Sequence, residues 1–147
     1  GGRVFNMYKF RSMNGNDQGS YGALGATKLA VTKVGKYLRA WRLDELPQLW
    51  NILVGDLSFV GPRPETPTLV ATYEREIPFY GVRHLIKPGL SGQAQLYYHG
   101  DPHGTTDVYA TKMKLSYDVF YLKHRSATLD ISIFIKTIRR ILIRSNA

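Results

Sequence analysis

The sequence predicts a single α+β domain in which helices dominate and the strands are short and locally paired. Two observations carry that reading. Apolar residues recur at helical spacing in Leu43, Leu46, Trp50 and Leu53, and again in Ile131, Phe134, Ile135, Ile138, Ile141 and Leu142. Strand-like alternation is confined to brief stretches, residues 8–11 and 57–60. Neither the βαβ rhythm nor the glycine-rich loop of a nucleotide-binding Rossmann domain is present. The 147 residues suffice for one hydrophobic core, so 1–147 reads as one domain.

Lys and Arg number 20 against 11 Asp and Glu, a net charge of +9 that points to anionic partners such as phosphates, nucleic acid or an acidic membrane surface. There are no cysteines, which excludes disulfides, thiolate metal sites and cysteine nucleophiles. No window reaches the run of about 18 apolar residues that a membrane-spanning helix needs. Gly1-Gly2-Arg3 leads at once into strand-like alternation, which is expected of a segment cut from something longer.

Taken in order, residues 4–13 alternate enough for a strand with Lys9 and Arg11 on one basic face. Residues 14–25, rich in Gly, Asn, Asp and Ser, read as a loop. A helix over 26–39 would carry Lys28, Lys33, Lys36 and Arg39 into the central stretch. There the adjacent acids Asp44 and Glu45 stand among arginines, and Pro47 restricts where the next helix can begin. The acids are therefore expected at or near a helix N-terminus, where unpaired amides and the helix dipole favour negative charge. The apolar face of that helix is expected to be buried. Gly55 is placed to end it.

A strand over 57–60 then meets Gly61-Pro62-Arg63-Pro64, where two prolines stiffen the backbone on either side of an arginine fork suited to phosphate. Residues 65–80 are helical in their middle. Pro88-Gly89 marks a turn and 93–98 suits a short strand. His99 and His103 sit in a polar loop whose irregular spacing argues against a metal site. Residues 111–144 are helix-rich, with Lys136, Arg139, Arg140 and Arg144 opposite the Ile/Phe face. That last helix is amphipathic enough to pack on the domain or to lie in a membrane interface.

Together these stretches resemble one family, the bacterial sugar transferases, or monotopic polyprenyl-phosphate phosphoglycosyl transferases. The resemblance rests on Tyr8-Lys9-Phe10-Arg11-Ser12-Met13, Leu38-Arg39, Leu43-Asp44-Glu45-Leu46-Pro47-Gln48-Leu49, the run from Gly55-Asp56-Leu57 to Gly61-Pro62-Arg63-Pro64, Lys87-Pro88-Gly89-Leu90-Ser91-Gly92, and the region from Tyr117-Asp118 to Asp130-Ile131. Gln93 stands where the family often has tryptophan.

The resemblance implies transfer of a sugar-1-phosphate from a UDP-sugar to polyprenyl (undecaprenyl) phosphate at the cytoplasmic face of the bacterial inner membrane, the first step of a lipid-linked glycan. It implies Asp44 as the nucleophile that carries a covalent phosphosugar, and Glu45 as its partner in metal or acid/base duty. Mg2+ would be held by Asp44 and Glu45. Arg39 and Arg63 match phosphate-holding positions, to which the basic strand adds Lys9 and Arg11. The family's opening membrane helix is not in this sequence, so a catalytic domain truncated at its N-terminus is expected. An anionic membrane surface, but no nucleic acid, is the expected macromolecular partner, and self-association stays open. The competing reading is a basic, non-enzymatic module that binds an anionic membrane or nucleic acid. It leaves the acid pair without a role.

Overall fold

A computed structural model of the protein describes residues 2–14, 30–98 and 108–144. The expected glycine-rich loop, the first part of the expected basic helix and the His99/His103 loop lie outside those residues.

The N-terminal segment joins no ladder until β1 (Met13–Asn14), which pairs antiparallel with β2 (Ala30–Val31). Residues 30–31 are thus a strand where a helix was expected. Helix α1 (Lys33–Ala40) begins one residue later, capped by Thr32, whose Oγ1 accepts from the Gly35 amide at 2.8 Å. The α1 axis passes so near the Ser12 carbonyl that any side chain at Gly35 would collide with it.

Arg42 then reverses the chain in the left-handed region, with φ of 55°. A single 3-10 turn, Leu43–Glu45, follows, and α2 (Gln48–Leu53) starts after Pro47. The acids therefore lie near the N-terminus of α2, as expected, in a tight turn of their own just ahead of it. Pro47 is the reason: it lacks the amide that a continuous helix through 43–53 would need at that point. Gly55 ends α2 as expected, in the left-handed conformation at φ +85°.

Strand β3 (Ser58–Val60) pairs with β4 (Gly89–Ser91) in parallel, Ser58 opposite Gly89 and Val60 opposite Ser91. Between them lie α3 (Pro67–Glu76) and a 3-10 segment, Tyr80–Leu85. A short helix, α4 (Gln93–Tyr97), occupies the stretch expected as a strand. Its residues are good helix formers, and Arg140 stabilises it by donating from Nη1 to the Gln95 and Leu96 carbonyls at 2.8 and 3.0 Å, capping the end of the helix. Two long helices, α5 (Val108–His124) and α6 (Ala127–Arg144), complete the chain.

The core has two parts joined by α5. On one side Leu115 packs with Tyr73, Ile77 and Tyr80; on the other Tyr121 packs with Val60 and Ile133. Covered on two sides, α5 acts as the spine against which the strand pair and α3 are fixed.

Two amphipathic helices turn their apolar sides outward. In α2 the buried residues are polar, Gln48 and Asn51, in line with Glu45 one turn earlier. Leu46, Trp50 and Leu53 are 47%, 59% and 79% exposed, so the expectation of a buried Leu43/Leu46/Trp50/Leu53 face is overturned. In α6 Ile133 is buried and Lys136 and Arg140 bond to α4, while Ile131, Phe134, Ile135 and Ile138 are exposed. Periodicity gives the helix and its two faces; it does not say which face meets the rest of the chain.

Candidate active site

The Glu45 carboxylate, almost buried, is surrounded by cations from three parts of the chain. Oε1 accepts from Arg63 Nη2 at 2.9 Å and lies 3.8 Å from Lys9 Nζ, while Oε2 accepts from Arg42 Nη1 at 3.3 Å. Burial pushes the Glu45 carboxyl up, but the charges of Arg63, Arg42 and Lys9 outweigh it and hold the group below its usual range. Burial and the nearby Arg63 charge lower Lys9.

Each cation is delivered by a distinct device. Lys9 comes from the N-terminal segment, which is clamped by Asn51: its Nδ2 donates to the Asn6 carbonyl at 2.8 Å and its Oδ1 accepts from the Tyr8 amide at 3.1 Å. One buried amide thus reads two backbone groups as a neighbouring strand would. The Phe10 amide then donates to the Asp44 carbonyl at 3.0 Å, tying the same segment to the acid turn. Arg42 is aimed by its own left-handed backbone, an uncommon conformation for a residue with a side chain.

Arg63 projects from the loop that leaves β3. The loop is tied back to β4, with the Gly61 amide donating to the Ser91 carbonyl at 2.8 Å and the Gly89 amide to the Pro62 carbonyl at 2.9 Å. The loop and β4 approach so closely that a Cβ on Gly89 would collide with the Gly61 nitrogen. At Arg63 itself, the backbone carbonyl accepts from Arg83 Nη2 at 2.7 Å.

Successive residues of a 3-10 turn point about 120° apart, so Asp44 does not share the cage of Glu45. It is half-buried and, among the described residues, its side chain forms no ion pair. Asp44, Glu45, Lys9, Arg11, Arg39 and Arg63 all line one broad open cleft of about 2530 Å³. Of the cations expected from the sequence, Arg63 and Lys9 contact Glu45. Arg39 donates to Met13 Sδ at 3.1 Å, and neither it nor Arg11 bonds to the acids. Leu43, Leu46, Leu49, Phe59, Phe134 and Ile138 border the same cleft, with Phe59 and Phe134 edge to face at 5.8 Å between ring centroids.

Among the described residues no group of three or more acids and histidines could enclose a metal ion. The donor set of two adjacent carboxylates still suits Mg2+, a hard cation usually held through one or two carboxylates, with waters and substrate phosphates completing the octahedron. Asp44 is the more available of the two, because both oxygens of Glu45 already accept from guanidinium groups.

Sequence reasoning missed Arg42, Asn51, Arg83 and Asp118. Arg42 lay in plain view beside the acids, but its contribution depends on a positive φ that no local pattern announces. Asn51 carried one signal: with Glu45 and Gln48 it forms a polar stripe at a spacing of three, and here that stripe is the buried one.

A family model described as "Bacterial sugar transferase" matches residues 1–144. The chain is 48% identical over 144 residues to the UDP-N-acetylgalactosamine-undecaprenyl-phosphate N-acetylgalactosaminephosphotransferase of Aeromonas hydrophila, covering 97% of this chain and 33% of that protein. To the UDP-glucose:undecaprenyl-phosphate glucose-1-phosphate transferase of Xanthomonas campestris pv. campestris it is 40% identical over 149 residues, covering all of this chain and 30% of the relative. A protein of the same description from Caulobacter vibrioides is 37% identical over 150 residues and is covered to 55% of its length. The chain thus spans about a third to about half of the length of these relatives.

Proposed function

Because the chain belongs to the bacterial sugar transferase family, we propose that it transfers a sugar-1-phosphate from a UDP-sugar to polyprenyl phosphate through a covalent phosphosugar on Asp44. The observation that carries the proposal is the division between the two acids: Glu45 is locked among Arg63, Arg42 and Lys9, while Asp44 beside it faces the cleft without an ion pair among the described residues.

In the first half-reaction an Asp44 carboxylate oxygen attacks the sugar-bearing phosphorus. A new O–P bond forms, the P–O bond to UMP breaks, and the electron pair leaves on UMP. Ionic repulsion between a carboxylate and a diphosphate opposes this approach, and the cations around Glu45 reduce it. Glu45 holds those cations in place before substrate arrives, so little reorganisation is needed when charge builds up. Mg2+, for which Asp44 is the available carboxylate, would supply further charge neutralisation on the donor phosphates. In the second half-reaction a phosphate oxygen of the lipid acceptor attacks the same phosphorus, and Asp44 leaves as the free carboxylate. Two successive displacements let one site serve a soluble donor and a lipid acceptor in turn.

The lipid acceptor implies an interface, and the cytoplasmic face of the inner membrane is the proposed location. Supporting an interface are the exposed apolar faces of α2 and α6, both of which border the cleft. No helix among the described residues is long and apolar enough to cross a membrane.

The test is UMP release by the protein in nanodiscs containing undecaprenyl phosphate, over a panel of UDP-sugars that includes UDP-N-acetylgalactosamine and UDP-glucose. Release with at least one donor that depends on Asp44 is expected. No release with any donor would remove the proposal.

A further inference from the structure

We propose that Arg83 and Asp118 are positioning residues for the reaction, fixing the backbone from which Arg63 reaches the cleft. The inference rests on reading Arg63 as a phosphate-binding group, and it extends the site inward to a buried ion pair on elements that do not carry the acids.

Arg83, Asp118 and Tyr80 are 7%, 4% and 2% exposed. Arg83 Nε donates to Asp118 Oδ2 at 3.1 Å, with Nη2 at 3.0 Å from the same oxygen, and Nη1 donates to the Tyr80 hydroxyl at 2.5 Å. Two sides of the guanidinium are thereby fixed, by α5 and by the 3-10 segment. The third outlet is Nη2, which donates to the Arg63 carbonyl at 2.7 Å. A buried ion pair is weak support for stability, since apolar packing of equal volume does as well. A guanidinium whose remaining hydrogen-bond capacity goes to a loop carbonyl 20 residues away is doing something an apolar side chain cannot.

The loop has need of this. Pro62 and Pro64 remove the amides on either side of Arg63, so the loop has few donors with which to anchor itself. It is held through its carbonyls instead: Pro62 by the Gly89 amide, Arg63 by Arg83. With the backbone pinned at both carbonyls, the Arg63 side chain meets Glu45 Oε1 from a fixed origin. The line of contacts runs from Asp118 on α5 through Arg83 and Arg63 to Glu45, next to Asp44. Preorganisation of this kind places charge before the reaction needs it.

The test is a double-mutant cycle on the protein in nanodiscs, comparing wild type, Arg63→Ala, Arg83→Gln and the double variant. Two readouts are taken at a temperature where melting curves show all four folded: affinity for inorganic pyrophosphate by calorimetry, and kcat and KM for UMP release. The Arg63→Ala variant keeps the carbonyl to which Arg83 donates, so any purely structural cost of Arg83→Gln should be the same in both backgrounds. The ligand effect should not be. Each single variant is expected to weaken pyrophosphate binding about tenfold, and the double variant to be no more than about twofold worse than Arg63→Ala alone.

Multiplication of the two effects would overturn the proposal, as would pyrophosphate affinity unchanged by Arg83→Gln or by Arg63→Ala. If Arg83→Gln does not fold, Tyr80→Phe and Arg83→Lys replace it in the same cycle and are read by the same criterion. Non-additive pyrophosphate binding without UMP release from any donor would retain the positioning role and reject the transferase. UMP release with additive effects would do the reverse.

Discussion

Arg63 Nη2 donates to Glu45 Oε1 across 2.9 Å, joining the proline-bound loop after β3 to the acid turn that precedes α2. Glu45 is nearly buried, and three cations share it, so the pair works as a hub and not as an isolated surface bridge. Exposed ion pairs contribute little, whereas opening a desolvated one leaves charge stranded.

Replacing that carboxylate should therefore be felt in stability, with a defined pH dependence. The folded state holds the Glu45 carboxyl below its ordinary value near 4.5. A lowered acid stabilises the fold above its unfolded pKa and loses that contribution as pH falls through the folded one. Wild type should be more stable than Glu45→Gln at neutral pH, with the gap closing as pH drops below about 4.5. Urea unfolding of both proteins from pH 3 to pH 8 checks this; a gap that stays constant with pH would contradict it.

Asn51→Ala should cost about 2 kcal/mol, because the Asn6 carbonyl and the Tyr8 amide lose their partner and a cavity opens. The same change releases the segment that carries Lys9, so the donor KM should rise several-fold. Chemical denaturation and steady-state kinetics on one preparation give both quantities.

On the outer face of α2, Trp50→Glu and Leu53→Gln should change stability by less than about 0.5 kcal/mol, since both side chains are exposed. They should nevertheless weaken sedimentation with anionic lipid vesicles. Lys136→Ala and Arg140→Ala should behave in the opposite sense, lowering the melting temperature while leaving vesicle binding largely intact, because these cations bond to Tyr97 and to the end of α4.

Gly89→Ala should destabilise by about 1–3 kcal/mol through overpacking against the Gly61 backbone. It should also depress UMP release, because the strand pair that it disturbs carries the Arg63 loop. Melting curves compared with residual activity at a permissive temperature separate the two effects.

Much of this was legible in the sequence. The helices α2, α3, α5 and α6, strand β3 and the Gly55 cap follow from local spacing and from residues with a single conformational use. The acid pair and Arg63 stand out because their neighbours, Pro47 and the two prolines of the loop, limit the backbone there.

What could not be read depends on contacts distant in sequence or on faces. Strand β4 hides in a Pro-Gly turn signal, and its partner β3 lies about thirty residues earlier. The α2 spacing announces an amphipathic helix, yet the polar stripe of Gln48 and Asn51 is the one inside, where Asn51 satisfies the Tyr8 amide and the Asn6 carbonyl. Arg83 and Asp118, 35 residues apart, become partners only when α5 packs on the 3-10 segment.

The central claim is the nucleophilic role of Asp44. Incubating the protein with an accepted UDP-sugar and no acceptor, then mapping peptides by mass spectrometry, should reveal a phosphosugar on Asp44 with release of one UMP per chain. The Asp44→Asn variant should show neither. An adduct on another residue, or undiminished UMP release from Asp44→Asn, would contradict the account.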